Sequence, residues 1–144
     1  MNLFGMLEVS GSAMSAERSR AEIVSANMAN SESTRTEQGG AYRRQLVVFR
    51  ARTAPRFPLL LARLHQQPAP GVQIDRVVAD PSPLPRRYEP GHPDADASGY
   101  VTYPNVNPVL EMTDLLSAVR AYQLNAAAVQ AAKNMLQQSL QILS

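Results

Sequence analysis

The sequence predicts a mainly α protein, in which long N- and C-terminal helices pair as an antiparallel coiled coil and a small extended, β-rich segment lies between them. All eleven prolines of the 144 residues fall between Pro55 and Pro108. Because proline breaks helices, both ends are left free to run as uninterrupted helix. Apolar residues recur at helical spacing from Leu3 to Met28, and at alternating three- and four-residue spacing from Leu115 to Leu143. The predicted division is 1–34 and 107–144 as the two halves of a helical core, with 35–106 as the central segment.

In the first helix, Leu3, Leu7, Met14, Ala21, Val24 and Met28 form one stripe, with Val9, Ala13, Ala16 and Ile23 beside it. About 25 residues in this state reach roughly 38 Å. Asn27, Asn30, Ser31, Ser33 and Thr34 then favour caps and turns, since their short polar side chains compete for backbone hydrogen bonds. The helix is expected to end near Asn30.

Tyr42 to Phe49 and Gly71 to Val78 read as strands, the second alternating Val72 and Ile74 with Gln73 and Asp75, and Tyr100 to Tyr103 reads as a third. Gly39-Gly40 suits a chain reversal before Tyr42. Residues 51–70 form an Arg/Pro-rich loop or insertion, and Asp80 to Pro93, broken by five prolines, reads as extended or turn structure.

At the C-terminal end, Asn107 caps and Pro108 takes the first helical position, where its missing N–H is no loss. Leu115, Val119, Tyr122, Ala126, Val129, Leu136, Leu140 and Leu143 then make the seam, interrupted by Lys133, whose stem can lie along it. About 35 helical residues reach roughly 52 Å. Away from the seam, residues 109–144 carry as charges only Glu111, Asp114, Arg120 and Lys133, among seven alanines and many Gln and Asn. A two-helix coiled coil satisfies this pattern; so does packing into a larger helical assembly, because small neutral faces allow further helices to approach closely.

The composition, 44% hydrophobic, is that of an ordinary soluble chain, and its net charge of +2 hides a segregation. Residues 38–74 contain six arginines (Arg43, Arg44, Arg50, Arg52, Arg56, Arg63) and no acid. Such a block suits nucleic acid, anionic lipid, peptidoglycan or an acidic neighbouring subunit. The absence of cysteine excludes disulfides, cysteine-ligated zinc and thiol nucleophiles. The opening Met1-Asn2-Leu3-Phe4-Gly5-Met6 has no basic n-region or long apolar run, so no cleaved secretory signal is expected, nor is a bilayer span.

No residues converge on a catalytic or cofactor site. Asp94-Ala95-Asp96-Ala97-Ser98-Gly99 imitates half a calcium loop, but Asn105 stands where the closing Glu is required, so the reading is a turn with Gly99 at positive φ. His65 and His92 lack metal-ligand spacing and read as loop residues. Neither a metal nor another cofactor is expected, and the function is expected to be non-enzymatic. Nucleic-acid binding through the arginine block, with Tyr42, Phe49 and Phe57 stacking, is the alternative from a different class.

Ser25-Ala26-Asn27-Met28-Ala29-Asn30-Ser31-Glu32-Ser33-Thr34 resembles the segment that closes the N-terminal helix in bacterial flagellar rod and hook proteins. The runs Gly39 to Arg44, Tyr88 to Gly91, Asp94 to Val101, Tyr103 to Asn107 and Ser117 to Asn125 resemble, in order, the proximal-rod members of that family. The resemblance covers about residues 1–50 and 71–144; it departs at Ala51 to Pro70 and at Leu124, where a smaller residue is usual.

This resemblance implies a structural subunit of the rod, the shaft of the flagellar basal body in the periplasm, exported by the flagellar type III apparatus and packed around the export channel. Its implied partners are self-copies, other rod subunits and the export apparatus, with no nucleic acid and no membrane span; another axial rod protein is the nearest alternative. Asn27, Asn30, Thr34, Tyr122 and Asn125 are the expected assembly residues, with Leu115, Val119, Val129 and Leu136 of the apolar seam. Asn27 and Asn30 are expected to satisfy backbone groups where the chain leaves the helix.

Overall fold

Helices α1 (Leu3–Ala29) and α2 (Pro108–Ile142) flank four strands, β1 (Gln45–Arg52), β2 (Gly71–Ala79), β3 (Arg86–Tyr88) and β4 (Tyr100–Thr102), in a computed structural model that describes residues 3–37, 39–52 and 71–142. The features predicted at Arg56, Phe57, Arg63, His65 and Leu143, and nearly all of loop 51–70, lie outside the described residues. The mainly helical class is as predicted, and no helix among the described residues is long and apolar enough to cross a membrane.

Both helix boundaries follow from the polar residues that read as caps. α1 stops where the Asn30 side-chain amide donates to the Ala26 carbonyl at 2.9 Å, duplicating the bond its own N–H makes at 3.1 Å. That carbonyl is saturated, and the chain turns through Ser31 and Ser33. α2 starts where the Asn107 side-chain oxygen accepts from the N–H groups of Val109 at 3.0 Å and Leu110 at 3.4 Å, with Pro108 first in the helix.

The strands differ from expectation at two places. The first was expected from Tyr42 but begins at Gln45, because the preceding donors are engaged elsewhere: Tyr42 N–H bonds the Ser33 carbonyl and Arg44 N–H bonds the Asn105 side chain. The second difference is β3, three residues within the proline-broken stretch, which pairs antiparallel with β4 in the register Arg86↔Thr102, Arg87↔Val101 and Tyr88↔Tyr100. Short edge pairing between Pro85 and Pro90 demands few ladder donors, so the prolines permit it. β1 and β2 form a separate two-stranded sheet.

The chain divides into two compact units. In the first (1–19, 49–75 and 118–144), Ser10, Ala16, Ala118 and Ala132 are buried. Here the Ser12 hydroxyl donates to the Val9 carbonyl at 2.8 Å and accepts from Val72 N–H at 3.0 Å, tying α1 to β2. In the second (20–48 and 76–117), Val24, Asn27, Val101 and Glu111 are buried.

The Asp94 to Gly99 segment of the second unit is the turn the sequence suggested. Asp96 accepts from the N–H groups of Ser98 at 2.8 Å and Tyr100 at 3.0 Å, and Gly99 has φ of +80°. The bond from Tyr100 N–H, foremost, holds the Asp96 carboxyl below its usual value. Arg86 pairs with Asp96 and lies 5.3 Å from the Tyr100 ring centroid, while the rings of Tyr88 and Tyr100 meet edge to face.

Two glycine replacements should therefore act in opposite directions. Gly99→Ala forces positive φ on a side chain and sets its Cβ 2.8 Å from the Tyr88 ring, so a loss of about 1–3 kcal/mol is expected. Gly11→Ala, on an exposed helical position with open space around it, should gain roughly 0.5–1 kcal/mol. Urea unfolding followed by circular dichroism reads both.

Candidate functional site

The second unit is organised around a single buried amide. Asn27, at the end of α1, is 1% exposed, and burial of a carboxamide is tolerated only when both its donors and both its acceptor sites are filled. All four are filled here. Its oxygen accepts from Gln45 N–H and from the Tyr42 hydroxyl, and its nitrogen donates to the Gln45 carbonyl and to Glu111 Oε2, each at 2.9 Å. The orientation is dictated by chemistry, since Gln45 N–H can only donate and an ionised Glu111 can only accept. Asn27 thus pairs with both backbone groups of Gln45 as a strand neighbour would, and fixes the residue at which β1 starts.

Glu111 is fully buried, and a buried carboxylate must be compensated. Asn27 supplies one donor and Arg44 Nε supplies another, 2.5 Å from Oε1. The Arg44 guanidinium continues to Asp114 at 3.1 Å, and Arg20 lies 3.7 Å from the other oxygen of Asp114. Glu111 and Asp114 also stand in the first two turns of α2, where the helix dipole favours negative charge. Arg44 is held from its backbone side by Asn105, whose oxygen accepts from Arg44 N–H at 2.9 Å. Burial, and secondarily the charge of Glu111, raises the Tyr42 hydroxyl above its ordinary 10.0.

The other predicted residues are placed as follows. Thr34 donates to Asp94 Oδ2 at 2.7 Å, and Arg35 reaches the same carboxylate at 3.8 Å, so Asp94 ties the post-helix segment to the turn. Asn30 ends α1 as described, its oxygen accepting from the Ser33 hydroxyl at 3.1 Å. Asn125 bonds back to the Ala121 carbonyl one turn earlier. Leu115, Val129 and Leu136 are half-buried, whereas Val119 is 41% and Tyr122 39% exposed. The deepest positions of α2 are instead Glu111, Ala118 and Ala132, which an apolar seam of large residues passes over.

Gln45, Glu111 and Asp114 are not among the site residues expected from sequence, and Tyr42 and Arg44 appear there only as candidates for nucleic-acid contact. The usable signal was the pair Glu111 and Asp114, the only acids of α2 and both near its N-terminus. The arginine block also resolves into parts: Arg44 meets Glu111 and Asp114, Arg50 meets Asp75 at 3.2 Å, and Arg43 approaches the carbonyls of Asp80 and Ser82 at 3.4 Å. Among the described residues, these three arginines of the block are engaged within the chain rather than left as a free cationic face.

Two family models match the chain. Flagella basal body rod protein matches residues 7–35, and the C-terminal domain of the flagellar basal body rod FlgEFG proteins matches residues 97–142. Among similar curated proteins are flagellar basal-body rod proteins FlgC of Borreliella burgdorferi (38% identical, 99% of both chains) and Bacillus subtilis (37%, 99% of both). FlgC of Salmonella typhimurium is 36% identical over 97% of both chains.

Removing the amide should be among the most damaging single changes. Asn27→Ala strands both backbone groups of Gln45 and withdraws a donor from Glu111, at an expected cost of about 3 kcal/mol or more in urea unfolding. Tyr42→Phe should cost about 1 kcal/mol near neutrality. Because folding raises the Tyr42 value, its contribution is complete below the ordinary 10.0 and is lost as pH climbs through the folded value. The gap in stability between native chain and Tyr42→Phe should therefore narrow in alkali.

Proposed function

The chain belongs to the FlgC family of flagellar basal-body rod proteins, structural subunits of the rod, and from that premise we propose that it builds the proximal rod by self-assembly. In this reading it is a non-enzymatic part of the drive shaft, exported by the flagellar type III apparatus to the periplasm, and its partners are its own copies and adjoining rod subunits. Helices α1 and α2 pair as an antiparallel coiled coil and surround the export channel. The central segment contacts axial and lateral neighbours.

The observation that carries this reading is the incomplete covering of α2. Leu110 is 58%, Met112 58%, Leu116 52%, Leu124 73% and Ile142 86% exposed, while two of the three residues that α2 buries, Ala118 and Ala132, are alanine. A helix apolar on more sides than its own chain covers is suited to burial among further helices. A shaft that transmits torque needs load shared over many such interfaces. Asn27, Asn30, Thr34 and Asn125 would hold the helix ends and turns in shape for assembly, and the exposed Tyr122 offers an apolar body with a hydroxyl handle.

Two substitutions separate folding from assembly. Leu124→Asp, at an exposed position, should leave the monomer within about 0.5 kcal/mol of the native chain yet prevent incorporation into basal bodies. Val129→Asp, half-buried in the seam, should lower both stability and assembly. Imaging of purified basal bodies with this subunit located, together with motility, reads the outcome; normal rods containing Leu124→Asp would overturn the proposal.

A further inference from the structure

The first unit contains a cavity of about 320 Å³ between the serine-bearing face of α1 and the strands, lined by Ser12, Ser15, Ser19, Arg52, Val72 and Ile74, among others. Its floor is built. Ser12 joins Val9 and Val72 by hydrogen bonds, and Gly71 passes so close that a Cβ there would meet Ser12 Oγ at 2.4 Å and Arg52 Nη2 at 3.3 Å. A side chain at residue 71 would fill the space beside the guanidinium, so glycine keeps it open.

Arg52 is half-buried, and its Nε is buried without a hydrogen-bond partner. This sets it apart from the other described members of the arginine block, since Arg44 and Arg50 meet carboxylates and Arg43 meets carbonyls. A partly desolvated guanidinium with an unfilled donor is unfavourable unless an acceptor is supplied, and its fork geometry matches a carboxylate. The hydroxyls of Ser15 and Ser19 add neutral donors on the facing wall.

We propose that this cavity is a receptor for a carboxylate side chain of a second copy of this chain, gripped by Arg52 with the Ser15 and Ser19 hydroxyls. Charge complementarity identifies the occupant. The one charged residue lining the cavity is Arg52, from a segment (38–74) that contains no acid, whereas 1–37 and 75–144 each sum to −2, so another copy can offer it a carboxylate. The inference rests on the reading of the chain as a self-assembling rod subunit. It assigns one specific polar contact to an interface otherwise made by apolar and small residues.

The test uses the full-length chain in cells and in basal bodies. Arg52→Gln should fold with unchanged circular dichroism and melting behaviour but give a roughly tenfold or larger loss of completed rods, with Arg52→Lys intermediate, because lysine keeps the charge and loses the fork. A photo-crosslinking residue at Ser15 should trap, in native basal bodies, a peptide of a second copy bearing Asp or Glu. Native rod numbers in Arg52→Gln, or a trapped peptide without an acid or from another protein, would overturn the proposal while leaving the rod assignment intact. Absence of the native chain from basal bodies would overturn the assignment itself. A loss of folding in Arg52→Gln would make the arginine structural and also overturn the receptor.

Discussion

The buried carboxamide of Asn27 is the constraint on which the second unit depends. An amide withdrawn from water must have both donors and both acceptor sites filled, and here the four bonds reach three residues, Tyr42, Gln45 and Glu111, in two separate parts of the chain. Meeting that demand fixes where β1 begins and how the first turns of α2 lie against it and the last turn of α1. Glu111 then imposes a second demand, because a fully buried carboxylate costs several kcal/mol if left unpaired, more than most single apolar contacts return. Arg44 answers it, and the position of Arg44 determines why Asp114, Arg20 and Asn105 stand where they do.

The polar network matters more because the apolar core is small. The hydrophobic residues buried among those described are Ala16, Val24, Val101, Ala118 and Ala132, none larger than valine. At roughly 25 cal/mol per Å² of area removed from water, such side chains contribute little each, while much larger ones on α2 remain in solvent. The two observations have one explanation. A large side chain is buried only where another element covers it, and within one copy these side chains of α2 are not covered. Specific hydrogen bonding defines the isolated chain, and its outstanding apolar area is suited to burial between chains.

Helix boundaries were legible in the sequence because their causes are local. Asn30 ends α1 through its neighbour four residues back, and Asn107-Pro108 starts α2 through the next two residues. The turn at Gly99 was legible for the same reason. The start of β1 was not, because it depends on Asn27, Ser33 and Asn105 taking or supplying bonds from afar. Nor was the bond from Asn27 to Glu111, which joins residues 84 apart and leaves no periodic trace. Templates that count apolar positions passed over Glu111, Ala118 and Ala132, although these are the deepest residues of α2, and favoured Val119 and Tyr122, which are exposed.

Charge segregation gives the arginine block a structural reading that a basic surface patch does not. Since 38–74 holds six arginines and no acid, every carboxylate partner must lie outside that segment. Each such pair then ties the middle of the chain to another part of it: Arg44 to the start of α2 and Arg50 to Asp75 of β2. Arg52 is where the chain's own acids run out, since the cavity it lines is otherwise bounded by serines, Gln73 and aliphatic side chains. In a protein that acts alone, such a residue would be better placed in water. In a family whose members build a rod, a donor held open by Gly71 on a fixed floor has a use that requires another copy, and the same segregation that folds the monomer supplies the complement.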